Sequence, residues 1–175
     1  MTQPPSSTDA RLTGEGTVPV PGGSVRYWVY GDGGIPLLCL HGGPGMAHDY
    51  LDTLADLSDQ RAVVFYDQLG CGASDRPDDP SLWTMDRSVE EGAAVCDALD
   101  LGRIHLFGNS WGGWLAMQYT LDRRPELASL TISSSPPSVP RVVAEMRELR
   151  LRLPVDIERV IADHEARQVF DCPEY

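Results

Sequence analysis

The residues that could do chemistry cluster first at Gly108-Asn109-Ser110-Trp111-Gly112-Gly113, a GxSxG pattern between an apolar β-branched run and a helical pattern. A serine hydroxyl becomes a nucleophile when a sharp strand-to-helix turn presents its oxygen, and small residues two before and two after it let neighbouring backbone pass. Gly108 and Gly112 meet that demand, so the pattern predicts acyl transfer through Ser110. A glycine-rich helix entry with a capping serine would have a similar composition. What separates the two readings is a second feature.

That feature is His41-Gly42-Gly43-Pro44-Gly45, directly after an apolar run ending at Leu40. A loop in that place can aim a backbone N–H at a developing oxyanion, with the second donor being the residue after the nucleophile. The expected oxyanion pair is therefore Gly43 and Trp111, both through backbone, with Gly42 supporting the loop. His41 precedes the serine in sequence and is expected to anchor the loop by hydrogen bonds rather than to take protons. Cys71 lies in a glycine-rich loop and is read as a buried thiol, since the elbow already supplies the nucleophile.

Positioning these residues requires a sheet flanked by helices. Pro36–Leu40, Ala62–Tyr66, Arg103–Gly108 and Leu127–Ser133 read as short buried strands of a mostly parallel sheet. Gly16–Val20 and Ser24–Gly31, joined by Pro21-Gly22-Gly23, read as an antiparallel hairpin. Helical spacing is expected at Tyr50, Leu51, Leu54 and Leu57. A further helix is expected from a Ser88/Glu91 capping box or a little earlier, with Val89, Ala93, Cys96 and Leu99 on one face. Another should run from Trp111 to about Asp122, ending before Pro125. Residues 1–15, rich in Pro, Ser, Thr and Gly, are expected to be a flexible lead-in. Residues 16–135 form the sheet-bearing core. Beyond Pro136, Pro137 and Pro140 the texture changes to two charge-rich amphipathic helices, Arg141–Arg152 and Val155–Phe170, so 136–175 reads as a separate helical segment.

Composition narrows the function classes. With 14 Lys and Arg against 26 Asp and Glu, the formal charge of −12 disfavours phosphate backbones and anionic membranes, so neither a nucleic acid nor a membrane is an expected partner. No apolar run approaches the roughly 18 residues of a membrane span, and the first residues have neither a basic start nor an apolar core. Cys39, Cys71, Cys96 and Cys172 are widely spaced, which fits reduced thiols in a cytoplasmic protein. No metal-ligand spacing is present, and no cofactor is expected.

HGGPG, then Asp67–Asp75 (DQLGCGASD), then GNSWGG in this order resemble the proline iminopeptidase family of α/β-hydrolases. The resemblance covers about residues 16–175. It implies an α/β-hydrolase fold and release of N-terminal proline or other residues from short peptides with a free N-terminus, through an acyl-enzyme on Ser110. It also implies that the helices after Pro140 open a cap. Glu145, Glu148, Glu158, Glu165 and Glu174 lie in that segment and read as solvated helix faces.

In α/β-hydrolases the acid and then the base follow the serine. Of the 65 residues after Ser110, His164 is the only histidine, inside a charged helical stretch, and it is read as a helix-surface residue. His48 and His105 precede the serine and are read as structural. The catalytic Asp and His are therefore expected not to be in this chain, which reads as truncated within the helical cap, with little turnover of its own. Leu127–Ser133 would then be an exposed edge strand. An esterase or carbon–carbon bond hydrolase on the same scaffold is the neighbouring alternative. Serine at the elbow disfavours dehalogenase and epoxide hydrolase chemistry, which use a carboxylate. The alternative from another class is a non-catalytic truncated hydrolase, or half of a split protein completed by a C-terminal chain.

Overall fold

The structure, a computed structural model, describes residues 11–123, 126–169 and 171. It falls into two compact units, Met1–Ser135 and Pro136–Tyr175.

The first unit is a six-stranded sheet in the order β1-β2-β4-β3-β5-β6. Strands β1 (Leu12–Val20) and β2 (Gly23–Tyr30) form the expected hairpin, with Val20 opposite Gly23. Strand β2 pairs antiparallel with β4 (Val63–Tyr66), and from there the sheet is parallel through β3 (Leu37–Leu40), β5 (Ile104–Asn109) and β6 (Leu127–Ser133). The expected flexible lead-in is corrected at its end. Strand β1 begins at Leu12, and the Arg11 carbonyl accepts from Gly31 N–H. Residues 12–15 continue the hairpin ladder, whose backbone bonds override their turn-prone composition. Residues 1–10 lie outside the described ones.

Both faces of the sheet are covered, which is why its central strands are continuous apolar runs. Side chains alternate: Leu38, Leu40, Val64 and Tyr66 pack with Val89, Val95, Leu115 and Tyr119 of α1 (Met85–Ala98) and α2 (Trp111–Arg123). Leu37, Cys39, Val63 and Phe65 pack with Leu51 and Ala55 on the other face.

Two local expectations change. Residues Asp49–Asp59 form 3₁₀ turns rather than an α-helix, although Leu51 is buried and Leu54 and Leu57 are partly buried against Phe65 and its neighbours. Helix α1 begins at Met85, within a residue of the earlier start near Asp86 and four residues before a Ser88 cap would place it. Its N-cap is Thr84, whose hydroxyl accepts from Arg87 N–H. Ser88 is already helical and donates back to the Thr84 carbonyl, while Glu91 is fully buried and accepts from Leu69 N–H.

The second unit contains α3 (Val139–Arg150) and α4 (Val155–Arg167). Ser138 caps α3. Arg150 binds both Glu158 and Glu165 of α4, so these two acids pair within the unit rather than standing only as solvated charges. Phe170, Cys172, Glu174 and Pro125 lie outside the described residues. Among the described residues no helix is long and apolar enough to cross a membrane.

Candidate active site

Ser110 sits between the end of β5 and the start of α2 with φ of +53°. This left-handed backbone is costly for a residue with a side chain, and it persists only where the surroundings fix it. Here they do. Ser110 N–H donates to the Ser133 carbonyl at 2.9 Å, and its own carbonyl accepts from Ser135 Oγ at 2.6 Å and from Gly113 N–H at 3.0 Å. The serine is exposed.

The flanking glycines are required by close approach. A Cβ on Gly112 would overlap the Leu40 carbonyl oxygen, and one on Gly108 would lie 2.7 Å from the Gly113 Cα and overlap the Gly112 carbonyl oxygen. The elbow thus packs against the end of β3, which brings the following loop to it. A Cβ on Gly42 would be 3.1 Å from the Ser110 Cβ. Gly43, next in line, has φ of +124°, a conformation that glycine adopts without strain.

Three loops meet here, and their polar groups interlock. His41 is fully buried. Its Nδ1 lies 2.9 Å from the Gly42 carbonyl, which only accepts, and its Nε2 accepts from Gln68 N–H at 2.9 Å. The ring is therefore the neutral Nδ1–H tautomer, and burial pushes its pKa below the ordinary histidine value. The Gln68 side chain donates to the His41 carbonyl and accepts from the Trp111 indole N–H, each at 2.9 Å. One glutamine thereby ties the His41–Gly45 loop, the loop after β4 and the elbow together.

Tyr50 is a part of this site that sequence spacing concealed among helix-face positions. Its hydroxyl accepts from Gly42 N–H at 2.6 Å and donates to Asn109 Oδ1 at 2.8 Å. Asn109 in turn donates to Ser133 Oγ at 3.2 Å. The Gly42 amide is thus engaged, whereas the Gly43 amide has no protein acceptor among the described residues. As the first residue of α2, Trp111 contributes one of the amides that a helix start leaves without an intrahelical acceptor. Ser135, like Tyr50, carries no motif signal that marks it in advance, whereas Gln68 lies in the DQLGCGASD stretch, where the sequence assigns it no role.

The loop after β4 is fixed by Asp67. Burial alone would raise its carboxyl, but hydrogen bonds from the His48 ring and amide and from Ala73 N–H outweigh that and hold it at about 2. His48 is thereby committed to Asp67, and His105 on β5 to Ser129 Oγ at 2.7 Å. With His41 bound to Gln68, all three histidines of the first unit have ring partners other than Ser110. His164 is in α4 of the second unit. Cys71 is buried, and desolvation raises its thiol, as a structural cysteine requires. Cys39 and Cys96 are also free thiols, and Cys172 lies outside the described residues. Among the described residues no three His, Cys, Asp or Glu side chains group to hold a metal.

Beside the elbow lies a cavity of about 400 Å³ whose walls include Trp111, Pro44, Gly45, Leu69 and Trp83.

The α/β-hydrolase fold family matches residues 35–170, a stretch that contains all three motif loops. The chain is 39% identical over 163 residues to a proline iminopeptidase of Heyndrickxia coagulans, covering 92% of this chain and 57% of that protein. It is 45% identical over 141 residues to the proline iminopeptidase of Saccharolobus solfataricus, covering 79% of this chain and 46% of that protein. Among solved structures, proline iminopeptidase of Mycobacterium smegmatis superposes with a TM-score of 0.83 at 38% identity, over 93% of this chain and 57% of that one. VinJ superposes with a TM-score of 0.85 at 37% identity, over 94% and 58%. The chain thus spans about half the length of these relatives, from 46% to 58%.

Proposed function

Because this chain belongs to the α/β-hydrolase fold family, we propose that it is the nucleophile-bearing part of a serine aminopeptidase that releases N-terminal proline or other residues from short peptides. The observation that carries this reading is Ser110 held at φ of +53° on a strand-to-helix turn, beside the His41–Gly45 loop. The identity to proline iminopeptidases supports the substrate class.

In this mechanism Ser110 Oγ attacks the carbonyl carbon of the N-terminal residue and loses its proton to a histidine base. The carbonyl oxygen becomes an oxyanion that accepts from the Gly43 and Trp111 amides. Each such donor is worth about a hundredfold or more in rate. The positive end of α2 adds to the same field. Collapse of the tetrahedral intermediate breaks the amide bond, the base returns its proton to the departing amine, and water then hydrolyses the acyl-serine. No metal or organic cofactor takes part. The acid and base are assigned to the further length that the relatives possess, since His41, His48 and His105 are each engaged elsewhere. Gly42, Gly108 and Gly112 support the elbow sterically. The buried free thiols Cys39 and Cys71 fit a reducing compartment, and hence the cytoplasm.

The test is release of proline from a prolyl arylamide and from Pro-Leu by the intact protein isolated from its source cells, with its mass measured alongside. Turnover should fall by about a millionfold, to background, in Ser110→Ala. The 175-residue chain alone should show only background. Unchanged turnover in Ser110→Ala, or strong turnover by the 175-residue chain, would overturn the assignment of roles. Hydrolysis of a p-nitrophenyl ester but of no arylamide would make the protein an esterase.

A further inference from the structure

The cavity beside the elbow has an unusual charge for this molecule. Acidic residues outnumber basic ones by 26 to 14 in the chain, yet among the described residues the cavity lining holds no carboxylate and two arginines, Arg76 and Arg87. The two are not equivalent. The Arg87 guanidinium is buried and partnered: it donates to the Leu82 carbonyl at 2.6 Å and to Ser88 Oγ at 3.3 Å, and it pairs with the buried Glu91. Its charge is cancelled inside the fold. Arg76 is exposed and makes one hydrogen bond, to the Gly72 carbonyl at 2.9 Å. It has no carboxylate partner among the described residues.

The cavity is therefore apolar along Trp83, Leu69, Pro44 and Trp111, and carries at Arg76 a guanidinium with no ion-pair partner among the described residues. A free ammonium group is disfavoured there by like charge, with no carboxylate in the lining among the described residues to receive it. An apolar side chain that ends in a carboxylate is favoured on both counts, because a guanidinium binds a carboxylate through two parallel N–H donors. Trp111 joins this cavity to the chemistry, since its indole forms part of the wall and its amide stands beside Ser110.

We propose that this cavity receives the part of a short peptide beyond the cleaved bond, with an apolar side chain against Trp83 and Leu69 and the C-terminal carboxylate on Arg76. Peptides of two or three residues with a free C-terminus are then the preferred substrates, and Arg76 is a specificity-determining residue. This rests on the aminopeptidase reading above, because the N-terminal amine must lie on the other side of Ser110.

The test compares kcat/KM for Pro-Leu and for Pro-leucinamide, which differ only in the terminal charge, using the intact protein. The free acid should be preferred by at least about tenfold, the loss expected for one charge-assisted contact. Arg76→Gln should collapse that ratio towards one, and Arg76→Lys should retain part of it. Equal rates in the wild type, or a ratio unchanged in Arg76→Gln, would overturn the inference and leave the aminopeptidase reading standing. If neither peptide is cleaved, titration with N-acetyl-leucine and N-acetyl-leucinamide decides, followed by the indole N–H resonances of Trp83 and Trp111. Binding of the acid alone, lost in Arg76→Gln, would support the cavity's role while the aminopeptidase reading fell. No binding of either would overturn the inference.

Discussion

Gln68→Ala removes the side chain on which the three loops converge. Two hydrogen bonds disappear, those to the His41 carbonyl and from the Trp111 indole, while the Gln68 backbone N–H still donates to His41 Nε2. At about 1 kcal/mol each the bonds account for about 2 kcal/mol, and the unpartnered His41 carbonyl adds about 1–2 kcal/mol. The expected loss is thus about 3–4 kcal/mol, a large share of a small domain's stability. Urea unfolding followed by tryptophan fluorescence measures it directly, because Trp28, Trp83, Trp111 and Trp114 all lie in the first unit. Gln68→Glu keeps an acceptor for the Trp111 indole but turns a second acceptor towards the His41 carbonyl, so it should not rescue. A midpoint shift worth less than about 0.5 kcal/mol in Gln68→Ala would refute the view that this side chain couples the loops.

Gly112→Ala should destabilise by about 3 kcal/mol or more in the same assay, since its Cβ overlaps the Leu40 carbonyl oxygen and only backbone movement relieves it; a neutral result would contradict the elbow packing. Asp67 has a depressed pKa, near 2 against an unfolded value of 3.8, so its contribution is present above pH 3.8 and is lost as pH falls through about 2. Asp67→Asn should therefore cost about 1–2 kcal/mol at pH 7, and the gap to wild type should narrow between pH 4 and 2 in acid unfolding curves. His41, with its pKa lowered by burial, should remain the Nδ1–H tautomer as pH falls through 6.5. Nitrogen-15 NMR of the ring reads this, and an imidazolium signature at pH 6.5 would contradict the hydrogen-bond assignment.

Sequence periodicity and turn chemistry located the hairpin turn, the parallel strands and the strand-to-helix turn at Ser110 to within a residue or two, while the first hairpin strand starts four residues before its expected Gly16. Each of these depends on local pattern: four apolar residues in β3 and four in β4, and glycine at the two positions where backbone crowds the elbow. The likeness to proline iminopeptidases was equally legible, because three motifs in a fixed order stand out from background, and relatives 39–45% identical bear it out. The misreadings share a cause. Ser88 and Glu91 have the spacing of a capping box, but Arg87 gives Glu91 a buried partner and Leu69 a use for its carboxylate, which no local rule anticipates. Asp49–Asp59 has helical spacing, yet tightens into 3₁₀ turns. Tyr50 and Ser135 were invisible for the same reason: their partners, Gly42 and Asn109 for one and Ser110 for the other, come from other loops.

The side-chain bridges that join the three loops at the serine are neutral: Tyr50 links Gly42 to Asn109, and Gln68 links His41 to Trp111. Charged groups stand one step away, with Asp67 on His48 and Arg87 on Glu91. That separation has a chemical consequence. A carboxylate against the Gly43 or Trp111 amide would occupy the place where negative charge must develop, and a nearby cation would bind an anion in the ground state. Under the proposed mechanism, neutral dipoles would fix the backbone without competing for the oxyanion, leaving the site preorganised for substrate. The same logic makes Tyr50 informative. It takes the Gly42 N–H, and the proposed mechanism assigns the oxyanion to the next amide, that of Gly43. Tyr50→Phe should therefore lower kcat of the intact enzyme more than it raises KM, since the loop's aim matters in the transition state more than in binding. A change confined to KM would show that Tyr50 shapes substrate binding and that the Gly42 amide is not what fixes the loop.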